Sequence, residues 1–147
     1  MKLSSLFCLL VTLSILGFSC KKEKEKLNIK LSDKSLDIIK SYIKGNWKLY
    51  RTTNYAWSPN EIYYKNSFID FKENDKIYWL YENGFYTEGN ITWIRDKDLY
   101  GDSTFLMRID DSNGNYVPPT KVIVEIRNDT LIIADNSIHE VLYELVR

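Results

Sequence analysis

Thr104-Phe105-Leu106-Met107-Arg108-Ile109, Lys121-Val122-Ile123-Val124-Glu125-Ile126-Arg127 and Val141-Leu142-Tyr143-Glu144-Leu145-Val146 are short runs of branched, aromatic and apolar residues bounded by polar turns. Each alternates along its length, which is the pattern of a strand with one face against a core. The alternation points Phe105, Met107 and Ile109 inward, with Val122, Val124 and Ile126, and with Val141, Tyr143 and Leu145. Arg108, Glu125 and Glu144 take the opposite face. None of these runs carries the three-to-four-residue spacing of a helix.

Working outward, the chain from Asn46 to Arg147 holds the same kind of segment throughout. The expected strands are Asn46 to Thr53, Ser67 to Lys72, Ile77 to Glu82, Tyr86 to Arg95, Thr104 to Ile109, Lys121 to Arg127, Thr130 to Ala134 and Glu140 to Val146. Turns rich in Asn, Asp and Gly separate them, among them Asn83-Gly84, Asp111 to Asn115 and Asn128-Asp129. Consecutive strands with short connections favour an antiparallel up-and-down sheet, and eight of them suffice to close a barrel without free edges. In Ile77 to Tyr81 both faces are apolar or aromatic, so the outer one needs a cover, for which the preceding helix or the Tyr55 to Asn66 connection is available.

Ahead of the strands, Leu36, Ile39 and Ile43 recur at helical spacing, with Ser32 as a cap and Gly45 as a terminator. The expectation is a short amphipathic helix over Asp33 to Lys44 that packs against the sheet. The fold class is therefore all-β: an eight-stranded antiparallel up-and-down barrel preceded by one short amphipathic helix. A single domain over 33–147 accounts for it, since roughly a hundred residues support one core.

The first twenty residues read as a processing signal. Lys2 gives a positive start, Leu3 to Leu16 is mostly apolar, and Gly17-Phe18-Ser19 precedes Cys20. The apolar stretch is short for a bilayer span. Ile15-Leu16-Gly17-Phe18-Ser19-Cys20 resembles the lipobox of bacterial lipoproteins in the looser form of Bacteroidota-type chains. That resemblance implies a signal peptide over 1–19, a lipid such as palmitate on Cys20, and a place in the cell envelope, on the outer membrane of a Gram-negative bacterium. Residues 20–32 then form the lipidated cysteine and a charged linker, reaching about 40 Å if stretched and roughly 20 Å as a coil. Cys8 falls in the removed segment, so no disulfide is available to the remaining chain.

Charge excludes one class of partner. The whole chain balances 20 basic against 20 acidic residues, and loss of residues 1–19 removes only Lys2, so a nucleic-acid binder, which needs a concentrated basic face, is not expected. Catalytic patterns are sparse. His139 is the single histidine, no serine sits in a nucleophile-elbow context, and Asp110 to Asn115 lacks both the glycine position and the final acid of an EF-hand loop. No zinc spacing or phosphate-cradling loop occurs, so neither an enzyme, nor a cofactor, nor a metal is expected.

Gly45-Asn46-Trp47 at the head of the first long strand and Leu142-Tyr143-Glu144-Leu145-Val146-Arg147 at the end of the chain resemble the lipocalins. The stretch from Gly45 to Arg147 is similar to the lipocalin-like domains of small bacterial lipoproteins. The family's opening motif is glycine, any residue, tryptophan, and a late basic residue covers that tryptophan at the closed barrel end. The resemblance therefore gives Gly45, Trp47 and Arg147 structural roles and implies binding of a small hydrophobic ligand. Barrel closure makes first and last strands neighbours, so Arg147 can stack on Trp47, worth about 0.5 to 2 kcal/mol.

Aromatic density nominates the ligand-binding residues. Trp79, Tyr81 and Trp93 are expected to line any cavity, with Trp57 and Tyr116 on long loops at its mouth. The alternative is an envelope protein–protein interaction or inhibitor module with a filled barrel.

Overall fold

Strands rich in β-branched residues and joined by tight polar turns pair most readily with their sequence neighbours, because little loop entropy is lost in closing each hairpin. The computed structural model, which describes residues 25–55, 60–84 and 86–147, follows that rule. The elements are β1 (Ile29–Lys30), α1 (Leu36–Ile43), β2 (Gly45–Asn54), β3 (Asn60–Tyr63), β4 (Phe68–Phe71), a single 3-10 turn (Glu73–Asp75), β5 (Lys76–Leu80), β6 (Tyr86–Lys97), β7 (Ser103–Asp111), β8 (Tyr116–Arg127), β9 (Thr130–Asp135) and β10 (Val141–Val146). Every pairing is antiparallel. β3 and β4 pair with successive halves of β2 and act as one bent stave, and β10 returns to β2 with Val141 opposite Asn54 and Val146 opposite Lys48. The result is the closed eight-stranded antiparallel barrel.

Within β6 the Gly89 position admits no side chain. A Cβ there would lie 2.0 Å from the Asp110 carbonyl oxygen of β7, so the two strands can approach only around a glycine.

α1 covers one end of the barrel. Its N-cap position is held by Ser35 rather than Ser32, with no side-chain capping bond, and it is shorter than the expected Asp33 to Lys44. Ile39 and Ile43 turn into the core. Gly45, at φ +104°, supplies the left-handed residue that lets the chain leave the helix and enter β2 at once. Lys40 reaches Asp75 at 2.7 Å and Lys44 reaches Glu73 at 2.6 Å, tying the helix to the 3-10 turn.

The same end is where the first and last strands of the barrel meet. The Arg147 guanidinium lies 4.3 Å from the centroid of the Trp47 ring, and its Nη2 donates to the Tyr42 and Lys44 carbonyls at 3.0 Å each. Trp47 Nε1 donates to the Ile43 carbonyl at 2.7 Å. The last helix carbonyls, which have no intrahelical donor, are thereby satisfied by the two side chains that stack on each other.

Two expectations need correction. Residues 27–32 are not all linker: Ile29–Lys30 pairs with β8, the Leu31 amide donates to the Val124 carbonyl, and Leu31 is fully buried. The alternation Leu27, Ile29, Leu31 is the two-residue period that carries this short strand. The inward set of β8 also differs. Val124 is an extra residue at a β-bulge between the Ile123–Ile133 and Glu125–Ile132 pairs, and a bulge reverses facing on one side of itself. Ile126 faces the core as expected. Above the bulge the inward residues are Ile123 and Lys121, while Val122 and Val124 face outward. That outward patch is roofed by the β6–β7 turn, where Tyr100 donates its hydroxyl to Glu140 at 2.9 Å.

Among the described residues, the outer face of β5 is flanked by aromatic rings from its neighbours in the sheet. Tyr78 is sandwiched between Phe68, with ring centroids 5.8 Å apart, and Tyr86 at 4.8 Å.

Candidate ligand site at the open end of the barrel

The barrel interior is divided along its axis by residue type. From the helix-covered end inward it is packed with Trp47, Leu49, Ile69, Ile77, Met107, Ile109, Ile123, Leu131, Ile133 and Leu145, all under 2% exposed or close to it. An eight-stranded barrel is only wide enough for side chains to fill in this way or to hold one small molecule. Toward the other end the lining changes to polar and aromatic groups.

Three strands place the polar groups. Lys121 of β8 stands opposite Asp135 of β9, and Tyr143 of β10 is a neighbour of both. Lys121 Nζ donates to Asp135 Oδ1 at 2.5 Å, and the Tyr143 hydroxyl donates to Asp135 Oδ2 at 3.2 Å. The ammonium also sits 4.8 Å from the Tyr143 ring centroid and 5.3 Å from that of Trp79. Both charged side chains are buried, at 6% and 7% exposure, so each depends on the other for its charge to be tolerated. Burial pulls the Lys121 amine below its usual value, and the Asp135 carboxylate opposes that shift. Burial, reinforced by the negative charge of Asp135, pushes the Tyr81 and Tyr143 hydroxyls well above the ordinary tyrosine value.

The aromatic groups form a continuous lining from this cluster to solvent. Trp79 meets Tyr143 edge-on at 5.3 Å and stacks on Tyr81 at 5.6 Å; Tyr81 packs on Tyr64 at 6.0 Å. The Tyr64 hydroxyl lies 3.2 Å from Thr52 Oγ1. Beyond Tyr81 an opening of about 470 Å³ is bounded by Ile62, Tyr64, Tyr81, Glu82 and Asn83. It lies between the end of β3 and the turn that follows β5. Among the described residues only two buried side-chain nitrogens have no hydrogen-bond partner, and one of them is Trp79 Nε1. Buried indole N–H groups ordinarily find an acceptor.

The sequence-nominated residues divide between the two ends. Trp79 and Tyr81 lie in the lining just described. Trp93 does not: its Nε1 donates to Asp75 at 2.8 Å and Lys40 lies over its ring at 5.9 Å, which places it beside α1 at the covered end. Its position low on the long, tilted β6 carries it there. Tyr116 is on the outer wall with Arg108 at 5.0 Å from its ring, because Val117, not Tyr116, has the inward parity at the start of β8. Trp57 and Cys20 fall outside the described residues.

Aromatic density also nominates Tyr64, whereas Lys121, Asp135 and Thr52 carry no such signal in the sequence. The signal for Lys121 and Asp135 would have been the bulge, which nothing in Val122-Ile123-Val124 announces. Asp111, from the acidic turn, spends its carboxylate on the Asn113 and Asn115 amides at 2.9 and 2.8 Å. Among the described residues no group of three or more His, Cys, Asp or Glu side chains is placed to hold a metal ion.

Comparison with protein-family models, with curated proteins and with solved structures returns no match to this chain. The functional reading therefore rests on the geometry above.

Proposed function

We propose that this chain is a lipid-anchored, non-enzymatic protein of the bacterial cell envelope, similar to the lipocalins, whose barrel receives a small hydrophobic ligand at its open end. The observation that carries the reading is the stack Tyr64–Tyr81–Trp79, which runs from the 470 Å³ opening to the buried polar cluster. That volume falls within the usual range of small-molecule pockets, about 300 to 1,000 Å³. Because the interior nearer α1 is filled, the ligand is held shallowly, between the aromatic rings, and not along the full barrel axis. Trp93 and Tyr116 have no part in it.

Titration of a panel of fatty acids, haem and sterol-like molecules, read by tryptophan fluorescence and by melting temperature, tests the proposal. A ligand of the site quenches Trp79 and raises the melting temperature. Unchanged fluorescence and melting across the panel reject it. The anchor is tested separately: Cys20→Ala should release the protein from the membrane fraction, and the intact mass of the natural form should exceed that of the bare chain by its lipid.

A second reading is supported by the outer wall. Tyr50, Tyr63 and Tyr86 are roughly half exposed there, with Tyr50 edge-on to Tyr63 at 5.4 Å and Tyr86 against Tyr78. Aromatic residues gathered on a surface suit docking to another envelope protein. Affinity capture from detergent-solubilised envelopes distinguishes the two readings, since a small-molecule carrier yields no stoichiometric protein partner.

A further inference from the structure

The polar cluster at the base of the site limits what kind of ligand fits. We infer that the ligand is uncharged and carries one hydrogen-bond-accepting oxygen, as in a ketone, ester or ether, to which Trp79 Nε1 donates. This inference rests on the ligand reading above and narrows it.

Lys121 and Asp135 form a buried pair of no net charge, and both Asp135 oxygens are already engaged, one by Lys121 and one by Tyr143. A ligand carboxylate placed here would meet the Asp135 charge while competing for an ammonium that already has its counter-ion. A ligand cation would meet Lys121. Each would also lose hydration on approaching the buried Lys121–Asp135 pair. An uncharged molecule incurs neither cost.

Trp79 is 5% exposed, and its Nε1 has no acceptor. Its ring is held between Tyr81 on one side, the Tyr143 edge and the Lys121 ammonium. Tyr81 both borders the opening and stacks on the indole, so a ligand that turns the Tyr81 ring aside lies against Trp79 directly. An acceptor oxygen there restores a bond the folded protein otherwise forgoes, which is worth about tenfold in affinity. A hydrocarbon of the same shape gains only the stacking.

A matched aromatic series tests this: 2-acetylnaphthalene, 2-ethylnaphthalene and 2-naphthoate share a ring and differ in the head. The protein is the chain from Lys21 onward, which keeps every described residue, with affinity measured by calorimetry and the Trp79 indole N–H followed by ¹H–¹⁵N NMR. The expected result is that 2-acetylnaphthalene binds about tenfold tighter than 2-ethylnaphthalene, outbinds 2-naphthoate, and moves the indole proton downfield. Trp79→Phe should erase the preference for the ketone over the hydrocarbon, whatever it does to the stacking affinity the two ligands share. Equal binding of ketone and hydrocarbon, tightest binding of 2-naphthoate, or an indole resonance that does not move would overturn the inference while leaving a hydrophobic site in place. If none of the three binds, the ligand reading itself fails. The ligand comparison in the unaltered protein stands whether or not Trp79→Phe folds.

Discussion

Removing the Arg147 side chain should loosen the end of the barrel where β2 and β10 meet α1. Its guanidinium, 4.3 Å from the Trp47 ring centroid, contributes a cation–π contact of about 0.5 to 1 kcal/mol at an exposed position. Its two hydrogen bonds to the Tyr42 and Lys44 carbonyls add about 1 kcal/mol in all, part of it from a cation at a helix C-terminus. Arg147→Ala should therefore cost about 2 kcal/mol, which for a domain of this size lowers the melting temperature by roughly 6 to 10 °C. The hydrogen bonds do not involve Trp47, so only the stacking share should couple to it. In a double-mutant cycle with Trp47→Leu, followed by urea unfolding, the coupling should be about 0.5 to 1 kcal/mol. Arg147→Lys keeps the charge but loses the planar fork, and should recover less than half of the loss. Additivity of the two single losses to within about 0.3 kcal/mol would refute the reasoning.

Other consequences can be checked on the same unfolding assay. Gly89→Ala drives a methyl group against the Asp110 carbonyl and should cost more than about 4 kcal/mol or prevent folding, seen as loss of the cooperative urea transition. Leu31→Ala should cost about 2 to 5 kcal/mol, because that side chain is fully buried beneath β8; a loss under half a kcal/mol would return residues 27–32 to the linker. Tyr81 and Tyr143 keep their protons in the folded state at pH values where the unfolded chain has released its own. The stability they contribute is therefore complete below about pH 10 and is lost as pH rises above it. The lowered Lys121 amine acts in the opposite sense, while Tyr63, Tyr86 and Tyr100 are also raised, so Tyr81→Phe/Tyr143→Phe should make the alkaline decline shallower without abolishing it.

The barrel was legible because its evidence is local. Alternation in Val141 to Val146 and in Phe105 to Ile109 gives facing directly, and short Asn- and Asp-rich turns allow little but neighbour pairing. Gly45, Trp47 and Arg147 were legible for a topological reason: a closed sheet brings the first and last staves together. The site was less so. Val122-Ile123-Val124 is apolar at every position, so the sequence contains nothing to show where the bulge reverses the strand, and Lys121 reads as an outward charge until its partner Asp135 is seen across the ladder. Trp93 and Trp79 both look like cavity residues by composition. They part company because β6 is long and tilted, and its lower half runs past the barrel core to α1. The short β1 was overlooked because Lys26, Asn28 and Lys30 between its apolar residues read as a solvated spacer.

The most direct test of the account is a ¹H–¹⁵N map of the chain from Lys21 onward during titration with a small uncharged hydrophobic molecule such as 2-acetylnaphthalene. The account places the shifting resonances at Thr52, Tyr64, Trp79, Tyr81 and Lys121, with Trp47, Trp93 and the α1 residues unmoved. Shifts confined to the outer wall around Phe68, Tyr78 and Tyr86, or none at saturating ligand, would contradict it.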